Sequence, residues 1–212
     1  MSRFAWDHNA YYHRLLLRQL PSQCGDVLDV GCGAGAFAGE LAALVRHVDA
    51  IDRAPEMIAV AERTVPENVS CIHADFLRED VVPEGRYDAV FSIAALHHMS
   101  LAQALPRMAA ALRPGGVLAA IALPKSDLPR ELPVELAAAA VHRVLAGAFA
   151  VARATSGRDW YAMEPTHDAM PVVQDPPLTT RRVRAEATTV LPGAEVRRLF
   201  FWRYLLVWHK PG

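Results

Sequence analysis

The chain has 212 residues with apolar residues at 52%, charged residues at 21% and a formal net charge of −1. That balance excludes a disordered or fibrous chain and gives no global pull toward nucleic acid or anionic surfaces. One domain is the first expectation for this length. Three cysteines, Cys24, Cys32 and Cys71, have neither disulfide-scaffold nor metal-ligand spacing, and a reducing cytoplasm is the expected home. The first 21 residues lack the basic-then-apolar pattern of a secretory signal. No membrane span is expected, because the most apolar stretch is interrupted by Glu135, His142 and Arg143.

Taken in chain order, residues 7–20 place Tyr11, Tyr12, Leu15, Leu16, Leu17 and Leu20 near helical spacing, and Pro21 ends that helix. DVLDVGCGAG is a short apolar run closed by glycines, a buried strand and then a turn. AFAGELAALVR predicts a helix, HVDAID a strand, and PEMIAVAERTV a helix with proline in its first turn. VSCIHADF and YDAVFSIAAL read as the third and fourth strands. SLAQALPRMAAALR is a helix, residues 113–116 (RPGG) a turn, and VLAAIAL a fifth strand. Strands alternating with helices imply right-handed crossovers and a mostly parallel sheet covered on both faces. The alternation breaks after residue 124. A long helix is predicted over 128–154, a long loop over 155–178 and a short helix ending near 191. AEVRRLFFW and YLLVWHK then form an antiparallel pair at one sheet edge.

The first strand-to-helix turn carries the strongest signal. Gly31, Gly33 and Gly35 let the backbone pass close to a ligand, and the helix start offers free N–H groups. Spacing alone matches a dinucleotide fingerprint. A pyrophosphate, however, gains nothing from the carboxylate of Asp29, whereas an ammonium does. Asp52 ends the second strand, where a carboxylate can take two ribose hydroxyls. Asp75 ends the third and can accept from an adenine amino group. Helix capping is the plain alternative for each aspartate separately. Together they fit one ligand, S-adenosylmethionine.

With these residues in view, the sequence resembles class I S-adenosylmethionine-dependent methyltransferases of the small-molecule (type 11-like) group. The motifs are VLDVGCGAG, AID, HADF, YDAVFSIAALHHM and LRPGGVL, within residues 22–123. The resemblance implies a doubly wound, Rossmann-like α/β fold. Its mostly parallel seven-stranded sheet has the order 3-2-1-4-5-7-6, with the last strand antiparallel and helices on both faces. It implies a single domain over 1–212: an N-terminal helix or lid (1–21), a cofactor core (22–124), a helical and loop insertion on the acceptor side (125–192) and the closing strand pair (193–212).

Carried over residue by residue, it implies that Gly31, Cys32, Gly33 and Gly35 pass under the methionine part and that Asp29 orients the ammonium. Asp52 would hold the ribose, Arg53 cover the adenine face, and Asp75 with Phe76 read the adenine edge. Ile93 and Ala94 would offer a carbonyl, and Tyr11, Tyr12 and His13 would close over the methionine part. No metal is implied. Residues 95–98 read Ala-Leu-His-His in place of the Asn/Asp-Pro-Pro-aromatic motif of nucleic-acid adenine methyltransferases, so a small-molecule acceptor is expected and nucleic acid is not.

His97 and His98 are the candidate general bases, each with a plain packing alternative. His167, Trp160 and Tyr161 are candidates to line the acceptor side, and Arg181, Arg182 and Arg184 read as a solvated helix face. A monomer or a homodimer is compatible with the sequence. Two other functions stand beside the leading one: an NAD-linked oxidoreductase, and a non-catalytic cofactor-binding module of the same fold.

Overall fold

The computed structural model describes residues 5–78, 81–128, 130–162 and 176–212. Seven strands form one sheet: β1 (Asp26–Val30), β2 (His47–Asp52), β3 (Val69–His73), β4 (Tyr87–Ile93), β5 (Leu112–Ala122), β6 (Glu195–Leu199) and β7 (Arg203–His209). Their order is β3-β2-β1-β4-β5-β7-β6, as the resemblance implied. The first five strands run parallel, and β7 is antiparallel to both β5 and β6. β1 is buried along its whole length, as a central parallel strand covered on both faces must be.

Six α-helices and one turn of 3₁₀ helix (Leu96–His98) accompany the sheet: α1 (His8–Leu17), α2 (Ala36–Ala42), α3 (Pro55–Thr64), α4 (Leu101–Ala111), α5 (Leu132–Ser156) and α6 (Thr180–Val190). One core layer packs Leu101, Leu105 and Met108 of α4 and Val183 and Ala187 of α6 against Val90, Leu118 and Leu206 of the sheet. The other packs Trp6, Tyr12, Leu16, Phe37 and Leu41 against Val27, Phe91 and Ile121. The sheet is thus roofed twice, and its strand ends are left for ligands.

Several boundaries differ from the sequence reading for local reasons. Helix α1 starts after Asp7, whose carboxylate accepts from the N–H groups of Asn9 (2.7 Å) and Ala10 (3.3 Å). Helix α2 stops at Ala42 instead of Arg46. There the Asn68 side-chain amide donates to the carbonyls of Ala42, Val45 and Arg46 and draws them out of the helical ladder. Strand β3 ends at His73, because Asp75 folds the chain into a turn by accepting from the Leu77 N–H at 2.9 Å.

Residues 113–116 are not a turn before the fifth strand but a bulge inside it. Pairing runs from Tyr87↔Leu112 to Ala89↔Val117, so β5 spends five positions where β4 spends two. Arg113 fastens the bulge to Asp88 (2.7 Å) and Asp26 (3.0 Å). The long helix runs four residues later at its start than expected and ends on Gly157 in the left-handed conformation.

Candidate functional site

The ends of β1, β2 and β4 meet where the strand order reverses, the place for a ligand in an open α/β sheet. Ser92 donates to the Val30 carbonyl at 2.8 Å and ties β4 to β1 there. The chain then turns through Gly31, at φ +77°, whose N–H donates to Ile51 O at 2.8 Å. A Cβ at Gly31 would lie 2.1 Å from the Cβ of Ala95. That contact makes Ala95, read in the sequence only as part of the segment 95–98, the residue that closes the turn against the end of β4. Ala94 beside it holds φ +53°, uncommon for a non-glycine residue, and its N–H donates to Ile121 O at 2.8 Å. At the far end of the turn Gly35, at φ +86°, has Val65 2.6 Å from where a Cβ would sit.

Two carboxylates stand at this turn. Asp52 accepts from the Gly33 N–H and the Ala54 N–H, each at 2.9 Å and on different oxygens. It therefore holds the glycine turn in shape while keeping lone pairs for further donors. Asp29 is different. It is 0% exposed, and neither of its oxygens has a hydrogen-bond partner among the described residues. Burial, with the Asp52 charge adding to it, pushes its pKa up to about 7. A buried polar group left unpaired costs several times what a satisfied one does, so this carboxylate asks for an outside donor.

The remaining sequence-predicted residues fall in three places. Arg53 and Asp75 are exposed beside the end of β2, and Phe76 is buried in the core against that strand end. Cys32 is buried, its thiol pushed well up by burial, so it packs the turn and is no thiolate. Tyr12 spends its hydroxyl elsewhere, accepting from the Phe201 N–H at 3.1 Å, while Tyr11 packs on Trp6, Tyr12, Tyr161 and Phe201. His13 bonds Glu40 at 2.8 Å and fixes α1 on α2. His167 lies outside the described residues, and Arg184 reaches the Val196 carbonyl at 2.6 and 2.9 Å.

His97 and His98 form a single turn of 3₁₀ helix with Leu96 after β4, their rings 4.1 Å apart. Burial pushes His97 down to about 3, with His98 and Arg203 adding to it, and its Nδ1 is buried without a partner among the described residues. His98 is lowered by burial and by Arg53, while Asp52 works the other way. Both rings are therefore neutral near pH 7. Arg203, held by Asn9 and by the carbonyls of Phe201 and Trp202, completes this wall. Burial brings it down to about 10, so it remains a cation, and no sequence pattern singled it out.

Comparison with known proteins decides the family. Residues 27–116 match the family model described as a methyltransferase domain. Over 208 residues the chain is 33% identical to an uncharacterized methyltransferase of Mycobacterium tuberculosis, covering 97% of this chain and 98% of that one. The chain belongs to the methyltransferases. Its sheet order is that of the class I fold. A ubiquinone biosynthesis O-methyltransferase of Xanthomonas campestris is 38% identical over 96 residues, 43% of this chain and 40% of that one. Among solved structures, a complex of DhpI with S-adenosylhomocysteine has the same fold (TM-score 0.61, 20% identity, 96% of this chain and 84% of that chain).

Proposed function

We propose that this methyltransferase moves a methyl group from S-adenosylmethionine to a small-molecule acceptor by in-line displacement. The observation that carries this reading is Asp29, a fully buried carboxylate at the glycine turn whose two oxygens have no partner among the described residues. An amino-acid ammonium supplies the cationic donors such a group lacks. The neighbouring residues fit the rest of the same molecule. Asp52 has one lone pair on each oxygen for two ribose hydroxyls, and Arg53, Asp75 and Phe76 stand at the end of β2 and β3 for the adenine. The solved DhpI complex supports the choice by the ligand it carries.

When bound, the cofactor supplies a methyl already activated on a sulfonium, so the chain's task is placement and deprotonation. Neutral charge suits both histidines to accept a proton. A group held near 3 is a weak base, so His98, beside Asp52 and Arg53, is the better candidate and His97 orients it. In this reading the acceptor is a small molecule with an ionisable proton, brought up to the histidine turn.

Calorimetric titration with S-adenosylmethionine, S-adenosylhomocysteine and NAD tests the reading. Micromolar binding of the first two and none of NAD supports it. Binding of NAD alone overturns it in favour of an oxidoreductase.

A further inference from the structure

Helix α5 is two-sided in an unusual way. Its inner stripe is fastened to the body: Glu135 accepts from Arg198 at 2.6 Å and from the Trp202 indole, and the His142 ring lies 3.1 Å from His8 and stacks on Trp6. Ala138 and Ala146 are buried on the same side. The outer side is apolar and bare. Ten large apolar side chains are exposed among the described residues, and six of them are on this helix. Leu136 is 64% exposed, Val144 71% and Val151 64%. From 132 to 154 the only charged residue in the exposed set is Arg143. A monomer rarely leaves such a patch without a use.

By length and composition the helix is apolar enough to cross a membrane. Crossing would carry the Glu135–Arg198 pair and the His8–His142 contact into hydrocarbon, which is costly. Lying flat on a bilayer buries only the outer side and keeps every inner contact. The charges favour this arrangement. Arg130, Arg143 and Arg158 are exposed along and beside the apolar face, whereas Glu131 and Glu135 are both turned inward to Arg198. Among the described residues Asp159 is the exposed acid near them, and Arg130 lies 3.8 Å from the half-buried Asp127. At the C-terminal end Trp160 is 43% exposed, with the Arg158 guanidinium 5.7 Å over its ring, the kind of side chain that settles at a headgroup boundary.

A second copy of the chain is a poorer occupant. Arg143 sits one residue from the middle of the helix, so a two-fold pairing of α5 faces would press two guanidiniums together inside an apolar contact. Anionic phosphates reverse the sign of that interaction. We propose that the outer face of α5 docks on the surface of a bilayer rich in anionic phospholipid, with the helix lying in the plane of the headgroups.

The test is co-sedimentation of the full chain with vesicles of phosphatidylglycerol and phosphatidylcholine in equal parts, and with phosphatidylcholine alone. The expected result is binding to the mixed vesicles that drops at least tenfold for Val144→Asp and several-fold for Arg143→Glu. It also weakens in high salt and is lower on phosphatidylcholine alone. Both substitutions are at exposed positions, and circular dichroism reports whether each variant is folded; if Val144→Asp unfolds, Arg143→Glu decides. The proposal is overturned if the wild-type chain stays in the supernatant with the mixed vesicles, or if folded variants sediment as the wild type does. It is equally overturned if light scattering finds a wild-type dimer that Val144→Asp dissociates while no vesicle binding occurs.

Discussion

Asp29→Asn should stabilise the cofactor-free protein at pH 8 relative to pH 4.5 while weakening cofactor binding. The carboxylate has its ordinary value, 3.8, in the unfolded chain and about 7 in the fold. A raised carboxylate pKa means the native state holds a proton that the unfolded state has released. Stability therefore falls as pH rises through that interval, and the full cost, about 4 kcal/mol, is reached above pH 7. Between pH 4.5 and 8 the same relation gives a loss of about 3 kcal/mol. The asparagine variant keeps a buried amide but no charge, so it lacks this slope. Urea unfolding of both proteins at the two pH values isolates the effect, because contributions from His97 and other groups cancel in the difference. In melting temperature the gap should change by roughly 6–12 °C for a domain of this size. Titration of the same proteins with S-adenosylmethionine should show wild-type affinity falling below pH 7, as Asp29 takes up its proton, and the variant weaker by about 1.5–3 kcal/mol and flat with pH. A stability difference that does not move with pH, or an unchanged affinity, would refute the account of Asp29.

Four further outcomes follow. Gly31→Ala should cost about 3 kcal/mol or more, since φ +77° is strained for alanine and its Cβ would meet Ala95 at 2.1 Å; a thermal melt within 2 °C of the wild type, roughly the shift of under 1 kcal/mol, contradicts it. Asp52→Ala should weaken S-adenosylmethionine binding by about 1.5–3 kcal/mol, read by calorimetry, because two ribose hydroxyls lose a charged acceptor and the Gly33 N–H loses its partner. Tyr12→Phe should lower stability by about 1–2 kcal/mol through the stranded Phe201 N–H, with cofactor affinity unchanged; a selective loss of affinity would place the hydroxyl in the cofactor site after all. His97, held low at about 3 by burial, works against the fold as pH drops from 6.5, where the unfolded ring takes a proton that the native ring refuses; His97→Gln should recover about 3 kcal/mol at pH 4.5 in urea unfolding and nothing at pH 8.

The cofactor end of the fold was legible because its constraints are local. An apolar run closed by glycines says that a buried strand ends in a tight turn, and positive φ at Gly31, Gly33 and Gly35 bears this out. An aspartate at the last position of β2 needs only a correct strand boundary, and HVDAID was read with the boundaries it has. The errors arose where a distant side chain captures backbone. Asn68 shortens α2 from 26 residues away, and Asp88 and Asp26 anchor Arg113 so that a glycine-rich segment becomes a bulge within β5. Trp208 of β7 is 7% exposed and donates to the Pro192 carbonyl, so it closes the core.

The proposed acceptor side is built from contacts that no window of sequence contains. Arg203 reaches Asn9 across 194 positions, Phe201 reaches Tyr12 across 189, and Trp202 reaches Glu135 across 67. Each of these residues looks ordinary in its own segment: an arginine opening an edge strand, a tyrosine on an amphipathic helix, a glutamate interrupting an apolar run. Only the closing strand pair brings them together, because β7 inserts between β5 and β6 and so carries Arg203 to the same sheet end as the histidine turn. That insertion also explains why Glu135, which in the sequence merely counts against a membrane span, acts in the fold as the fastening that holds α5 down by its inner side. Glu135 is thus the residue that fixes the inner side of α5 to the body and leaves its apolar side turned outward.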